Sequence, residues 1–283
     1  MEICQDQRNF VNLVSNEILF GSEPFLYNQI GQDYDSTRRA DPFIASRLVH
    51  HLAVQPGEKI LDLACGTGNY SIELAKRGLI ITGLDCSQRM IESASLKDAN
   101  IGWFIGDAST SPFDERQFSG AICTLAIHHF DSLDKPFQEV YRVIDRGQFV
   151  IFTASPDQMK GYWLNEYFPQ AMKRSIEQMP SLDRMENALF RTGFDTITRE
   201  NYEIQPDLQD HFLYCGKHNP ELYLDPKIRV GISTFSNLAN KDEVQNGCAR
   251  LAEDIQTERI NKIIKSYKHG NGDYLFVIAR KEC

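Results

Sequence analysis

An apolar run leads directly into a glycine-rich turn in the stretch Ile60-Leu61-Asp62-Leu63-Ala64-Cys65-Gly66-Thr67-Gly68-Asn69-Tyr70. The run is a candidate strand, and residues 69–77 have the apolar spacing of a helix, so the turn joins a strand to a helix. Small residues in such a turn let a ligand lie against bare backbone at the carboxyl end of a sheet. The turn alone does not identify the ligand, because dinucleotide-binding folds use the same device.

Short apolar runs alternate with amphipathic stretches on both sides of this turn, from residue 59 to about residue 155. This alternation is typical of βαβ units that build a parallel sheet. The pattern predicts strands at 59–64, 79–84, 102–105, 118–124 and 148–154, and helices at 69–77, 87–97 and 133–144. A further helix is expected at 42–52, after Asp41 as N-cap and with Pro42 at the first helical position.

The remainder of the chain, 156–283, has a different texture. Helical patterns at 162–179 and 182–192 precede an alternating strand at 195–204, and a last strand is expected at 272–280. The mixed segment between these strands is too long for a structureless connection, so we expect it to contain helices and to cover the site. The predicted organisation is an amino-terminal helical cover (1–55), a core (56–204 plus 271–283) and a lid or substrate insert (205–270).

Composition excludes several classes of protein. The 283 residues are 42% hydrophobic and 24% charged, as in soluble globular proteins, and the net charge of −9 argues against a nucleic-acid partner. Seven cysteines without a C-x-x-C pair or a Cys/His cluster predict reduced thiols and no metal site. The chain shows neither a signal-peptide pattern nor a membrane-length apolar run, so a cytoplasmic location is expected.

Three carboxylates recur at intervals of one βα unit. Asp62, Asp85 and Asp107 are separated by 23 and 22 residues, so all three are expected at one rim of the sheet. Asp85 ends a predicted strand, where an ionised carboxylate can accept hydrogen bonds from both hydroxyls of a ribose. Asp107 can accept from an adenine amino group while the backbone N–H of Ala108 reaches a ring nitrogen.

Asp62 distinguishes between two classes of cofactor. A carboxylate immediately before the glycines would repel the pyrophosphate of a dinucleotide and attract an ammonium and a sulfonium. The dinucleotide fingerprint G-x-G-x-x-G also fails at its third position, which is Ser71.

The motifs together resemble those of class I S-adenosylmethionine-dependent methyltransferases, and most of all the group that includes the ubiquinone- and menaquinone-biosynthesis-type enzymes. They are Asp62-Leu63-Ala64-Cys65-Gly66-Thr67-Gly68, Gly83-Leu84-Asp85, Gly106-Asp107-Ala108, Pro112-Phe113, Phe118, Leu125-Ala126-Ile127-His128-His129-Phe130 and Glu139-Val140-Tyr141-Arg142-Val143-Ile144. The resemblance is specific over 57–155 and extends loosely to 34–52. It implies an α/β, doubly wound, Rossmann-like sheet of seven mainly parallel strands, with an antiparallel last strand and a helical lid insert.

The resemblance also implies the contacts of the cofactor. The turn from Asp62 to Gly68 would hold the methionine portion, although the first glycine of the family's pattern is Ala64 here. An amino-terminal segment would fold over the cofactor, where an arginine of the pair Arg38-Arg39 could meet the carboxylate; a solvated charge pair is the alternative. The cofactor-binding candidates are Tyr34, Arg39, Asp62, Ala64, Gly66, Gly68, Asp85, Cys86, Met90, Asp107, Ala108 and Leu125, with Cys86 and Met90 beside the adenine ring.

His128 and His129 follow the fourth predicted strand, where the family often places groups that face the transferred methyl. Either histidine could remove a proton from an attacking O–H or N–H group, whereas two packing histidines are the alternative. Adjacent residues point in different directions, so we expect at most one of them to face the substrate.

The predicted activity is transfer of the methyl group of S-adenosylmethionine to an O, N or C nucleophile of a small molecule, leaving S-adenosylhomocysteine. The alternatives are a cofactor-binding protein without transferase activity, an NAD-dependent oxidoreductase, and a methyltransferase that acts on protein or RNA. The acceptor and a homo-oligomeric state are left open.

Overall fold

A computed structural model of the protein describes residues 37–267 and 270–282. A seven-stranded sheet forms its centre. The strands are β1 (Lys59–Leu63), β2 (Ile80–Asp85), β3 (Gly102–Ile105), β4 (Phe118–Thr124), β5 (Ile144–Thr153), β6 (Thr196–Tyr202) and β7 (Tyr274–Lys281). Their order across the sheet is β3-β2-β1-β4-β5-β7-β6, and β7 runs antiparallel to both of its neighbours. The predicted fold class is therefore confirmed, including the antiparallel last strand.

The helices surround the sheet on both faces. They are α1 (Pro42–Leu52), α2 (Asn69–Lys76), α3 (Gln88–Lys97), α4 (Asp134–Val143), α5 (Pro156–Lys160), α6 (Leu164–Tyr167), α7 (Pro169–Gln178), α8 (Leu182–Thr192), α9 (Pro226–Val230), α10 (Lys241–Gln256) and α11 (Ile260–Ser266). The caps follow local chemistry. Asp41 accepts from the backbone N–H groups of Phe43 and Ile44 at the start of α1, and Ser87 accepts from Met90 at the start of α3.

Consecutive residues of the central strands enter two different cores. Val150 and Phe152 of β5 pack in a core with α1 and α7, whereas Phe149 and Ile151 pack in a second core with α4 and α8. Because both faces of the sheet are covered, the strands are continuous apolar runs rather than alternating ones.

Two predicted elements differ from the structure. The single helix expected at 162–179 is wrong: the region forms α6 and α7, separated at Phe168, because Pro169 disfavours helical backbone in the residue before it. The fifth strand starts at Ile144 rather than at 148, and its pairing with β4 contains a register shift between Phe118 and Gly120.

The segment 205–270 contains α9, α10 and α11, and its aromatic residues Phe212, Tyr214 and Tyr223 are buried in the same core as α1. The predicted cover (1–55) is described only from residue 37, so its first 36 residues lie outside the described part of the chain. No helix among residues 37–267 and 270–282 is long and apolar enough to cross a membrane.

Candidate active site

A cavity lies at the carboxyl ends of β1, β2, β4 and β5. This location follows from the topology, because the carboxyl ends of parallel strands meet at one edge of the sheet and the strand order reverses beside β1. The strand ends and the turns after them supply one part of its lining, namely Ala64, Cys65, Gly66, Thr67, Asp85, Cys86, Met90, Thr124, Leu125, Ala126, His128, His129, Thr153 and Ala154.

The glycine-rich turn after β1 bends through left-handed backbone. Ala64, Gly66 and Gly68 have φ angles of 57°, 55° and 73°. A Cβ placed on Gly68 would lie 2.2 Å from the ring of Trp103, so that position requires glycine, whereas a Cβ on Gly66 would have no atom within 4 Å. The turn therefore presents open backbone to the cavity at Gly66. Ala64 stores strain, because its side chain disfavours a positive φ.

Asp85 anchors this turn from the end of β2. Its Oδ2 accepts from the backbone N–H of Gly66 at 2.8 Å, and its Oδ1 accepts from that of Ser87 at 2.9 Å. Burial raises the pKa of Asp85 from its ordinary value, and these two N–H donors oppose that shift. Each carboxylate oxygen has a second lone pair, so Asp85 can accept two more hydrogen bonds on its cavity side.

Asp62 lies behind the turn and is only 1% exposed. Its Oδ2 accepts from the hydroxyl of Ser71 at 2.5 Å, whereas its Oδ1 has no hydrogen-bond partner in the described part of the chain. Burial raises the pKa of Asp62 to about 7, and the negative charge of Asp85 adds to the rise. A buried oxygen without a donor is costly, so Asp62 is suited to a cationic group that enters from outside the chain.

The other sequence candidates occupy different surroundings. Asp107 is exposed and accepts from the backbone N–H of Ser109 at 2.7 Å, and Ala108 packs against the core that contains α4. Arg39 is exposed and does not line the cavity. Tyr34 lies outside the described residues. The structure thus groups Ala64, Gly66, Asp85, Cys86, Met90, Leu125, His128 and His129 in the cavity wall, with Asp62 and Gly68 in the strand and turn behind it.

An ion pair that sequence reasoning missed also lines the cavity. Arg38 donates from Nε to Oδ1 of Asp210 at 2.5 Å and from Nη2 to Oδ2 at 3.3 Å, and the hydroxyl of Tyr70 donates to Oδ2 at 3.1 Å. Asp210 is 1% exposed, so its charge is balanced inside the protein. The Arg38-Arg39 pair was the only local signal for this contact, since Asp210 is 172 residues away in the chain.

His128 and His129 form a short 3₁₀ turn (Ile127–His129) after β4, and both line the cavity. The two rings pack on each other with centroids 3.9 Å apart, and the expectation that at most one of them faces the substrate stays a prediction. Burial lowers the pKa of His129 to about 4 and that of His128 well below its ordinary value. Both imidazoles are therefore neutral at pH 7 and able to accept a proton.

The cavity continues past the end of β5 into a second chamber. Residues from three parts of the chain form this part of the wall: Met159 after β5, Ser175 and Met179 of α7, and Phe212, Leu213, Gly231, Ile232, Ser233 and Thr234 from the segment 205–270. Phe212 and Leu213 belong to an aromatic-rich stretch (212–218) that is a sequence candidate for pocket lining. The other residues had no local signal, because only tertiary packing brings them to the cavity.

Comparisons with known proteins point to one family. The model of a family described as "Methyltransferase domain" matches residues 60–147, the span from β1 to the start of β5. A solved structure described as a methyltransferase from an antibiotic biosynthesis pathway of Anabaena variabilis is similar with a TM-score of 0.78 and 31% identity, covering 86% of this chain and 98% of that one.

Curated relatives agree with this result. Demethylmenaquinone methyltransferase of Corynebacterium glutamicum is 30% identical over 127 residues, which are 43% of this chain and 54% of that protein. The enzyme of the same name from Desulfitobacterium hafniense is 29% identical over 210 residues, which are 62% of this chain and 83% of that protein. The chain thus spans about half the length of the Corynebacterium relative that it matches.

Proposed function

The chain belongs to the class I S-adenosylmethionine-dependent methyltransferases, and we propose that it transfers a methyl group from S-adenosylmethionine to an O, N or C nucleophile of a small molecule. The observation that carries this proposal is the continuity of the cavity. One part of its wall has the glycine-rich turn and Asp85, and another part, the second chamber, is formed by Met159, α7 and the segment 205–270. A protein that only stored the cofactor would have no need for the second chamber.

The residues of the first wall fit S-adenosylmethionine. Asp85 retains two acceptor positions for the ribose hydroxyls, and Gly66 offers open backbone to the methionine portion. The unpartnered Oδ1 of Asp62 lies behind the same turn, where a water molecule could link it to the cofactor's ammonium. Cys86 and Met90 line the cavity beyond Asp85, on the side proposed for the adenine.

The chemistry requires positioning more than it requires catalytic groups. The bound cofactor would supply an electrophilic methyl group attached to a sulfonium. The chain's own residues would hold the nucleophile in line with that methyl and exclude water, which is a large part of the rate gain in such displacements. Neutral His129 would accept the proton of an O–H or N–H acceptor, and a carbon nucleophile activated on its own would need no such base.

The segments beyond the core complete the proposal. We assign residues 205–270 to a lid or substrate insert, because this segment supplies Phe212, Leu213 and residues 231–234 to the cavity. The amino-terminal cover contributes Arg38, whose ion pair with Asp210 ties it to that insert. A small-molecule acceptor in the cytoplasm agrees with the net charge of −9 and with the free cysteines of the described residues.

Calorimetric titration with S-adenosylhomocysteine tests this assignment. Asp85→Ala should weaken binding by about 1–3 kcal/mol, because two ribose hydroxyls lose their charged acceptor. Asp145→Ala is the matched control, since Asp145 is an exposed carboxylate near the start of β5, at the opposite rim of the sheet. Unchanged affinity in Asp85→Ala, or a preference of the wild type for NAD, would contradict the cofactor assignment.

Methyl transfer is tested separately from binding. A protein that binds the cofactor should release S-adenosylhomocysteine when labelled S-adenosylmethionine is incubated with a panel of small hydroxyl, amine and activated-carbon compounds. Tight cofactor binding without transfer to any member of a broad panel would favour the binding-only alternative.

A further inference from the structure

Two hydroxyl groups meet in the wall of the second chamber. The Oγ of Ser175 on α7 lies 3.0 Å from the Oγ1 of Thr234, and the two residues are only 8% and 2% exposed. Each hydroxyl has one proton to donate, and one of the two protons is used between them. The second proton has no acceptor among the described residues, so the pair can donate one hydrogen bond to a group in the cavity.

Packing holds this pair in place. Thr234 begins a π-helical turn (Thr234–Leu238), and the ring of Phe235 packs edge-on against Phe168 with centroids 4.9 Å apart. Arg174, next to Ser175, donates to the backbone carbonyl of Leu238 at 2.5 Å. The two hydroxyls therefore belong to a rigid junction between α7 and the segment 205–270, as a preorganised binding group requires.

The chamber around the pair is largely apolar. Its lining includes Met159, Met179, Phe212, Leu213 and Ile232. Such a wall favours a ligand with mainly apolar surface, while a few placed polar groups set its orientation.

The described residues that line the second chamber carry no charge for the ligand to pair with. The charged lining residues of the whole cavity, in the described part of the chain, are Arg38, Asp85 and Asp210. Arg38 and Asp210 neutralise each other, and Asp85 lies at the end of β2, committed to the glycine-rich turn. Because a charge enters a low-dielectric site at high cost unless it finds a partner, a charged acceptor would be rejected.

The elements that carry the pair assign it to the acceptor, because α7 and the segment 205–270 are separate from the strand ends that fit the cofactor. Strands β2 and β5 are three strand spacings apart, which is about 14 Å. The sulfonium of the cofactor would be one carbon from the ribose that Asp85 would hold, so its methyl would face the same cavity that Ser175 and Thr234 line.

We propose that Ser175 and Thr234 form an anchor that donates a hydrogen bond to a neutral oxygen of an uncharged, mainly apolar methyl acceptor. The ligand oxygen can be a carbonyl, ether or hydroxyl oxygen, since each has a free lone pair. This inference rests on the proposed function for the role of the ligand, whereas the binding preference itself depends only on the cavity.

Four naphthalene compounds of nearly equal shape test the anchor. They are 1-naphthol, naphthalene, 1-naphthoate and 1-naphthylmethylamine, added to the protein in the presence of S-adenosylhomocysteine. Methionines labelled with ¹³C in their methyl groups locate the binding by NMR. Met159 and Met179 report on the second chamber and Met90 on the cofactor side, whereas Met172 and Met185 are buried outside the cavity lining.

We expect 1-naphthol to shift the Met159 and Met179 signals and to bind about tenfold more tightly than either charged compound. The double variant Ser175→Ala/Thr234→Val should weaken 1-naphthol about five- to tenfold and leave naphthalene within about twofold, because a single variant still keeps one hydroxyl that can donate. Ser236→Ala is the control, because Ser236 is exposed on the same turn and its hydroxyl donates to the backbone carbonyl of Ile232.

Three results would overturn the anchor. They are equal or tighter binding of a charged compound, equal loss of 1-naphthol and naphthalene in the double variant, and no binding of 1-naphthol at its solubility limit. Failure of the proposed function is seen separately, as no binding of S-adenosylhomocysteine before any probe is added. The probe comparison then runs on the free protein and still decides whether the anchor exists.

Discussion

Replacement of Asp62 by asparagine should stabilise the free protein at neutral pH and weaken its binding of the cofactor. Asparagine has the shape of the protonated carboxyl and can still accept from Ser71, but it never ionises. In the wild type, burial raises the pKa of Asp62 from 3.8 in the unfolded chain to about 7 in the folded protein. Between these values the folded state keeps a proton that the unfolded chain has lost, so the free energy of unfolding falls as pH rises.

The size of the effect follows from the two pKa values. At about 1.36 kcal/mol per pH unit, the interval from 3.8 to about 7 corresponds to about 4 kcal/mol of stability lost by pH 7, and about 3 kcal/mol of that is lost above pH 5. Above pH 7 the loss levels off, because Asp62 is then ionised in both states. Asp62→Asn should lack this loss, so its stability advantage over the wild type should grow by about 3 kcal/mol between pH 5 and pH 8.

Urea unfolding at pH 5, 6, 7 and 8, followed by tryptophan fluorescence, measures this difference. A constant effect of the substitution on stability does not matter. The test uses only how the difference in free energy of unfolding between the two proteins changes with pH. His128 and His129 make the stability of each protein rise with pH up to about 6.5, because burial lowers their pKa values below the value of 6.5 in the unfolded chain. This contribution is common to the wild type and the variant, so it cancels from the difference between them. Parallel stability curves for the two proteins would refute the raised pKa of Asp62.

Ligand binding should show the opposite trend. The ammonium of S-adenosylhomocysteine favours ionised Asp62, so the wild type must release a proton to bind it below pH 7. Wild-type affinity should therefore improve by up to about tenfold per pH unit between pH 5 and pH 7, and calorimetry in two buffers should detect the released proton. Asp62→Asn should bind more weakly at pH 7 and with a flat pH profile. An equal pH dependence in both proteins would show that Asp62 does not meet the ammonium.

Two further substitutions test the cavity wall. Ala64→Gly should tighten binding of S-adenosylhomocysteine, because it removes a methyl group at a φ of 57° beside the ligand. The free energy of unfolding should change by less than about 1 kcal/mol, since relief of strain is offset by greater freedom of the unfolded chain. Weaker binding of the variant by calorimetry would contradict the expected gain in affinity. His129→Ala should leave the affinity for S-adenosylhomocysteine unchanged and lower kcat about 100-fold for an O–H or N–H acceptor. His50→Ala is the control and should alter neither quantity, because His50 is exposed on α1. An unchanged kcat in His129→Ala would exclude His129 as the base.

Local sequence pattern predicted most elements of the fold correctly, and its errors have local causes. The bounds of α1, α8, β3 and β4 agree with the prediction to the residue. The two helices have a clear helical periodicity and an N-cap residue, Asp41 or Ser181, and the two strands are short apolar runs. The helix expected at 162–179 was wrong, although Pro169 inside that range was a visible signal of the break. The early start of β5 had no comparable signal, since it depends on pairing with β4.

The cofactor side and the acceptor side of the cavity differ in how far a sequence can reveal them. Asp85 could be placed from the sequence because a residue at the end of a parallel strand has a fixed position in space relative to the neighbouring strand ends. Ser175 and Thr234 are 59 residues apart and meet only because α7 packs on the segment 205–270. No local pattern encodes such a contact. The acceptor therefore has to be inferred from the charge and hydrogen bonding of the assembled cavity.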